Sequence, residues 1–192
     1  MDLEFVIVAS KFKLIRMWDI AMMFNKLFEI DKVSDSIGNI NFREAVRAII
    51  IKNNKILMVH SKNKDYKFPG GGIKKDEGHI EALKREIEEE TGYVCNEVNN
   101  QVGIVTERSK DRYFNDCVFK MISYYYIAEV TNIRKSQKLD PYEAKLEFKP
   151  KWVNIDDAIK NNESIIDIGT EPIANWIFRE TYVLKKIRNY LR

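Results

Sequence analysis

The sequence predicts an α/β fold, and three features of the chain lead to this class. Segments rich in β-branched and aromatic residues recur between residues 45 and 130 and indicate strands. An acidic segment with helical spacing interrupts them at residues 76–90, and an amphipathic segment ends the chain. With 192 residues, 45% of them hydrophobic, the chain can bury one good core, so we expect a single domain with a short appendage.

Two hairpins account for most of the predicted strands. Within residues 45–60, Asn53 and Asn54 separate two apolar runs, and such a pair suits a tight two-residue turn. Residues 102–108 and 118–130 are long, rich in β-branched and aromatic side chains, and near enough along the chain to pair. We therefore expect a sheet built largely from neighbouring antiparallel strands.

Two helices are predicted near the end of the chain. Asn154 is expected to cap a short helix that continues through Asp157 to Ile159. A longer helix is expected from about Pro172 to Leu191, because apolar residues recur there at helical spacing. The residues of this face are Ile173, Trp176, Ile177, Val183, Leu184, Ile187 and Leu191. We expect this face to pack on the sheet.

A further helix, of about three turns, is predicted directly after a glycine turn. Residues 70–72 are all glycine and end an extended run, and Asp76 or Gly78 can open the helix. Gly92 can close it in the left-handed conformation that suits glycine. At about 100° per residue, the stripe expected to face the core consists of Ile80, Leu83 and Ile87.

Three glutamates lie beside that stripe. Glu86, Glu89 and Glu90 fall within an arc of roughly 100°, and the helix places no cation next to Glu86 or Glu90. Like charges at this spacing repel one another, and more strongly when they are partly buried. Because Mg²⁺ and Mn²⁺ prefer carboxylate oxygens, the arrangement predicts a divalent-cation site. The competing interpretation is an ordinary acidic surface helix, against which the glycine turn and Arg85 argue.

The same stretch resembles the Nudix box. It consists of Gly71, five residues, Glu77, seven residues, and then Arg85-Glu86-Ile87-X-Glu89-Glu90-X-Gly92-Tyr93. Every fixed position of the box is filled. With average amino-acid usage as background, the pattern would arise at any one start with a probability on the order of 10⁻⁹. The motif is therefore a specific one.

The resemblance extends over residues 23–192 and implies an α/β/α sandwich around a mixed β-sheet. It also implies that the chain, with Mg²⁺ or Mn²⁺ as cofactor, hydrolyses a phosphoanhydride (pyrophosphate) bond. The implied substrate is a nucleoside diphosphate linked to another moiety, such as a nucleoside triphosphate or a nucleotide sugar. The chemistry agrees, because water attacking pyrophosphate is opposed by the charge on its oxygens, which cations neutralise.

The resemblance assigns roles to individual residues. The implied metal ligands are the Gly70 carbonyl and the carboxylates of Glu86, Glu89 and Glu90. The implied structural positions of the motif are Gly71, Glu77 and Gly92. Arg85 joins Glu89 and Glu90 in the catalytic set, because it braces the loop and helix and can pair with Glu89 four residues later.

The residue that activates water is not fixed by the box. By resemblance it lies either within the box or on a glutamate of a later loop, where Glu143 and Glu147 are the candidates. Both precede residues 151–153, which resemble the late strand found after that loop in relatives. Glu147 is preferred of the two, and a solvated loop carboxylate is its competing interpretation.

Three other functions compete with hydrolysis of a free nucleotide. One is removal of pyrophosphate from an RNA 5′ end, by the same chemistry. Another is a non-catalytic module that senses nucleotides, which would have no need for every metal carboxylate. Diphosphate isomerisation, as in related isopentenyl diphosphate isomerases, requires a catalytic cysteine, and neither Cys95 nor Cys117 can be matched to it.

Composition restricts the setting of the protein. Two cysteines are too few for a disulfide framework and lack metal-site spacing, so we expect free thiols and a cytoplasmic location. A net charge of +3 does not indicate nucleic-acid binding, which is left open but not favoured as a partner. A homodimer is also left open.

The first 22 residues are interpreted as an N-terminal extension of uncertain role, followed by the domain at residues 23–192. They contain no apolar run long enough to span a bilayer. Asp2 and Glu4 stand where a signal peptide would carry basic residues. The sequence therefore predicts neither a membrane anchor nor a signal peptide there.

Overall fold

The computed structural model of the chain describes residues 22–31, 38–169 and 174–190. In chain order the elements are β1 (Phe24–Glu29), β2 (Asn39–Ile49), β3 (Ile51–Lys52), β4 (Lys55–His60), β5 (Tyr66–Lys67), α1 (His79–Thr91), β6 (Tyr93–Lys110), β7 (Cys117–Arg134), α2 (Pro141–Lys145), β8 (Lys149–Val153), α3 (Ile155–Ile168) and α4 (Trp176–Tyr190). The expected N-terminal extension falls almost entirely on residues 1–21, outside the described part.

The larger sheet is mixed and has the strand order β1-β6-β7-β2. Its centre is the antiparallel pair β6 and β7, which confirms the second predicted hairpin. Both of these strands are longer than the sequence indicated, with 18 residues each. The outer strands β1 and β2 run parallel to their neighbours. Only the pairing between sequence neighbours could be expected from the chain order.

A smaller sheet surrounds β4, which pairs with β3, β5 and β8. In the β3–β4 turn, Asn53 and Asn54 have φ angles of 51° and 58°. Two consecutive left-handed residues are characteristic of the tight hairpin turn, so the turn predicted at this asparagine pair is confirmed. The strand that carries Trp152 pairs antiparallel with β4, opposite Leu57.

Helices cover both faces of the larger sheet. On one face, the α1 residues Leu83 and Ile87 pack in a cluster with Val46 and Ala48 of β2. On the other, Ile159 of α3 and Val183, Leu184 and Ile187 of α4 join a cluster around Phe24, Phe68 and Tyr125. The predicted α/β/α sandwich around a mixed sheet is confirmed.

The ends of the helices follow their sequence signals. The Asn154 side chain accepts a hydrogen bond from the Asp156 amide at 2.9 Å and caps α3, which is longer than predicted. The predicted face of α4 is buried at Ile177, Val183 and Leu184, while residues 170–173 and 191–192 lie outside the described part.

Two further observations concern the setting of the protein. Cys95 and Cys117 are both free, as expected. In the described part of the chain, no helix combines the length and the apolar character needed to cross a membrane.

Candidate active site

The acidic helix α1 forms where the sequence predicts it. Gly78 precedes its first residue, and Gly92 ends it with a φ of 72°, donating its amide to the Glu88 carbonyl at 2.9 Å. Leu83 and Ile87 are fully buried, but the prediction that Ile80 faces the core is wrong, because its side chain is 41% exposed. Ile80 belongs to the first turn of the helix, which extends beyond the apolar cluster.

The glycine turn before α1 is held against strand β2. The Val46 amide donates to the Gly71 carbonyl at 3.0 Å, and the Ala48 amide donates to the Pro69 carbonyl at 2.8 Å. Gly70 has a φ of 142°, and a Cβ there would lie 2.1 Å from the Val46 carbonyl oxygen. A Cβ on Gly71 would lie 2.5 Å from a carboxylate oxygen of Glu86. Glycine is therefore required at position 70 for the turn to approach the strand, and a larger residue at position 71 would displace the Glu86 carboxylate.

Three carboxylates converge beside this turn. Among the described residues, Glu86, Glu90 and Glu143 each offer an oxygen, and these oxygens lie within 4.8 Å of one another. We call these three residues the carboxylate group. Glu90 is fully buried and Glu86 is 7% exposed. Glu89, assigned to the metal by resemblance, is not in the group and has a side chain that is 31% exposed.

The expectation that these glutamates have no cation of their own is wrong. Lys67 of β5 forms a buried ion pair with Glu90, and Arg85 contacts Glu86 at 2.6 Å and Glu89 at 3.0 Å. Helical spacing identifies neighbours within the helix only, so it could not reveal a contact with a lysine of a strand. Helical spacing also could not show that the Arg85 side chain turns toward the preceding loop and contacts Glu86, the next residue in the chain.

Arg85 ties the loop to the helix. It donates to both carboxylate oxygens of Glu77 at 2.7 Å and to the Gly72 carbonyl at 3.1 Å. Hydrogen bonds from Arg85 lower the pKa of Glu77 to about 2. The geometry agrees with the bracing role that the resemblance implies for Glu77 and Arg85, and the predicted pairing of Arg85 with Glu89 is present.

Burial dominates the electrostatics of the carboxylate group. It raises the pKa of Glu90 to about 7, with the negative charges of Glu86 and Glu143 adding to the effect and Lys67 opposing it. Burial also raises the pKa of Glu143. Raised pKa values mean that these carboxylates are tolerated as anions only with help from positive charge nearby. Additional positive charge beside Glu90 and Glu143 would therefore favour their ionised forms.

Glu143 reaches the group because its loop is fastened to the end of α1. The Lys138 amide donates to the Glu89 carbonyl at 2.9 Å, and the Gln137 side chain donates to the Glu90 carbonyl at 2.5 Å. The short helix α2 then begins with a reciprocal cap, in which Asp140 accepts from the Glu143 amide at 2.8 Å and the Glu143 carboxylate accepts from the Asp140 amide at 3.0 Å. The cap fixes the direction of the Glu143 side chain.

Glu147, the base preferred from the sequence, lies elsewhere. Its side chain is 60% exposed and is 3.6 Å from Lys149, and it does not belong to the carboxylate group. The segment Asp140-Pro141-Tyr142-Glu143 carried the signal that distinguishes the two candidates, since an aspartate three residues before a glutamate marks a capped helix. Lys67 was missed altogether, and no spacing rule in the sequence pointed to it.

The carboxylate group has the donor chemistry for a hard divalent cation. Its ligands are oxygens only, and the Gly70 carbonyl lies near them, because Lys67 contacts both that carbonyl and Glu90. That carbonyl accepts hydrogen bonds from Arg47 and, at 3.4 Å, from Lys67. The chain's own cations therefore contact both the carbonyl and the carboxylates implied as ligands. Oxygen-only sites of this kind suit Mg²⁺ or Mn²⁺.

Comparison with known proteins agrees with this geometry. The profile of the NUDIX domain family matches residues 41–172. The chain is 39% identical over 71 residues to an ADP-ribose pyrophosphatase from Methanocaldococcus jannaschii, covering 35% of this chain and 41% of the relative. It is 41% identical over 56 residues to an 8-oxo-dGTP diphosphatase from Buchnera aphidicola subsp. Schizaphis graminum, covering 27% and 43%. A NUDIX hydrolase structure from Nitrosomonas europaea aligns with a TM-score of 0.55 at 20% identity, over 79% of this chain and 89% of that one.

The chain belongs to the NUDIX domain family, because the family profile covers well over half of its length. The resemblance read from the box is thereby confirmed. The structural neighbour, at 20% identity, supports the fold alone. The chain spans about two fifths of the length of the curated relatives it matches.

Proposed function

We propose that this protein is a Mg²⁺- or Mn²⁺-dependent hydrolase that cleaves the phosphoanhydride bond of a nucleoside diphosphate linked to another moiety. The observation that carries the proposal is the carboxylate group, whose oxygens lie within 4.8 Å of one another beside the glycine turn of an intact Nudix box. The names of the two curated relatives, a pyrophosphatase and a diphosphatase, support the same reaction class.

In this proposal each residue of the site has a defined task. Glu86 and Glu90, with the Gly70 carbonyl, hold the divalent cation, and Glu89 is available at the exposed side. When bound, the cation neutralises charge on the pyrophosphate oxygens. Arg85 keeps Glu86 and Glu89 in position, and Lys67 offsets the charge of Glu90 while no cation is bound. Fixed positions matter because an aligned donor or acceptor requires no rearrangement during the reaction.

Glu143 is the proposed general base. It belongs to the carboxylate group, its cap holds it in place, and burial raises its pKa, which makes it a stronger base than an exposed carboxylate. It takes a proton from the attacking water as the oxygen of that water bonds to phosphorus. The anhydride oxygen leaves with the electrons of the broken bond.

The remainder of the substrate would extend from β2 toward the β1 edge of the larger sheet. Arg43, Met121, Glu107 and Phe28 occupy one row across β2, β7, β6 and β1. At about 4.8 Å per strand the row spans roughly 14 Å. At its β1 end a cavity of about 270 Å³ is lined by Phe28, Glu107 and Arg179, among others. The aromatic side chains of Phe28 and Phe178 suit a nucleobase, whereas Glu107 and Arg179 pair with each other.

The first test compares purified protein on a panel of substrates with Mg²⁺ and with Mn²⁺. The panel holds ADP-ribose, a nucleotide sugar, nucleoside triphosphates and a 5′-triphosphorylated oligonucleotide, with mass analysis of the products. We expect turnover of at least one free nucleotide, with products that show cleavage between two phosphorus atoms. No turnover of any compound would favour a sensing module, and a preference for the oligonucleotide would favour RNA 5′-end processing.

The affinity for a divalent cation is expected to depend on pH. Because the pKa of Glu90 is raised from its ordinary 4.5 to about 7, the metal-free site retains a proton that the cation must displace. Affinity for Mn²⁺ should therefore rise by up to about tenfold per pH unit below pH 7 and level off above it. Calorimetric titration from pH 5.5 to 8.5 measures this, and an affinity independent of pH would contradict it.

The raised pKa of Glu90 also predicts how the stability of the metal-free protein depends on pH. The folded state keeps the Glu90 proton that the unfolded chain releases between pH 4.5 and about 7. The contribution of Glu90 to the free energy of unfolding therefore falls as pH rises through this window. Thermal unfolding with EDTA should show this loss, and adding Mn²⁺ at pH 8 should reverse it.

A further inference from the structure

Arg43 of β2 lies at the mouth of the proposed site without a partner of its own. Its guanidinium rests against the glycine turn, so that a Cβ added to Gly72 would come within 2.8 Å of the nearer nitrogen. The residue as a whole is exposed. Within the described part of the chain, no hydrogen bond, and no ion pair within 4 Å, joins the Arg43 side chain to another residue.

Three other arginines, by contrast, have partners within the protein. Arg47 donates to the Gly70 carbonyl, Arg85 binds Glu77 and Glu86, and Arg179 pairs with two carboxylates in the interior. Arg43 differs from them because its five donors remain available. A planar guanidinium with free donors matches two phosphate oxygens at once.

The charges around Arg43 also favour an anionic ligand. Burial, followed by the nearby positive charge of Arg47, lowers the pKa of Arg43, while Glu86 and Asp140 oppose this effect without forming an ion pair. A guanidinium that is partly desolvated and close to other cations gains more from a bound anion than one in open solvent. Glu86 belongs to the carboxylate group, so the negative charge with the largest effect on Arg43 is one that we propose binds the cation.

The position of Arg43 in the sheet identifies which part of a ligand it would meet. It begins the row that continues through Met121 and Glu107 toward the cavity at β1. It adjoins the glycine turn at one end of the row, and the cavity lies at the other end. A phosphate at this place would be the one that joins the reacting bond to the nucleoside or sugar.

We propose that Arg43 is a substrate-binding residue that holds a phosphate of the diphosphate group through its guanidinium. This inference rests on the proposed function, because it takes a diphosphate as the ligand. It assigns Arg43 to recognition of the substrate and not to retention of the cation, which Glu86, Glu90 and the Gly70 carbonyl hold.

The test measures binding of two probes by calorimetry, Mn²⁺ alone and then inorganic pyrophosphate in the presence of Mn²⁺. Arg43→Gln should weaken pyrophosphate binding about ten- to a hundredfold, the range expected for charge-assisted hydrogen bonds, and Arg43→Lys should restore part of it. Affinity for Mn²⁺ alone should be unchanged or higher in Arg43→Gln, because a cation near Glu86 is removed. Arg188→Gln, on an exposed ion pair of α4, is the control and should bind as the wild type does.

The outcomes separate this inference from the function on which it rests. If the wild type binds no Mn²⁺, the proposed function fails first. If it binds Mn²⁺ but Arg43→Gln and wild type behave alike toward pyrophosphate, whether both bind it or neither does, the role of Arg43 is overturned alone. Loss of Mn²⁺ binding in Arg43→Gln would also overturn it, because Arg43 would then act by supporting the glycine turn.

Discussion

Replacing Glu86 by glutamine should reduce turnover by at least about 10²-fold, the effect expected when one charged group is lost from an electrostatic site. Glutamine keeps the size of the side chain but removes the negative charge that we propose binds the cation. The variant should remain folded, because glutamine fills the same space at this buried position and Arg85 retains Glu77 and Glu89 as partners. Steady-state kinetics at saturating Mg²⁺ measures turnover, and a thermal unfolding curve shows whether the variant is folded.

A matched control is available on the same helix. Glu88 is an equally charged residue whose partner is Lys135 at 2.8 Å, away from the carboxylate group. Glu88→Gln should keep turnover within about threefold of the wild type, since exposed ion pairs contribute little. Equal losses in the two variants would mean that the charge of the whole helix matters and not the site at Glu86.

Replacing Glu143 by glutamine should also lower turnover by about 10²-fold or more, because removal of a general base usually has that effect. The Asp140 cap survives the change, since the glutamine side chain oxygen can still accept from the Asp140 amide. Affinity for Mn²⁺ should fall much less than in Glu86→Gln. At saturating Mn²⁺, where cation binding no longer limits turnover, the pH profile should lose the part of its acidic limb that reports ionisation of the base.

Glu147→Gln is the comparison for this prediction. The Glu147 side chain is exposed and contacts Lys149, so the substitution should leave turnover within about threefold. A large loss in Glu147→Gln together with a small one in Glu143→Gln would restore the assignment preferred from the sequence. The two substitutions are chemically identical and four residues apart, so their difference isolates position.

The sequence was most informative where local rules decide the structure. The left-handed pair Asn53-Asn54, the cap at Asn154 and the glycine that ends α1 at Gly92 each depend on neighbouring residues only. The Nudix box likewise placed Glu86 and Glu90 on one side of a helix. These features follow from backbone geometry and fixed spacing, so a single chain is enough to predict them.

The chain was less informative where distant segments meet. Lys67 pairs with Glu90 across 23 positions, and Glu143 enters the site because Gln137 and Lys138 bind the end of α1. Neither contact has a periodicity that could reveal it. The exposure of Ile80 depends on where the apolar cluster ends, which is likewise a property of the assembled sandwich. The balance of charge in the site depends on tertiary contacts, so spacing within the helix wrongly predicted that Glu86 and Glu90 have no cationic partner.

The most direct test of a cation held by the carboxylate group is a crystal structure of the protein with Mn²⁺, using anomalous scattering to locate the metal. We expect a peak bonded to oxygens of Glu86 and Glu90 at about 2.1 Å, the distance typical of small hard cations. The Lys67 ammonium should have moved away from Glu90 to make room. A fully loaded crystal with no peak at these carboxylates, or with a peak elsewhere only, would contradict the account.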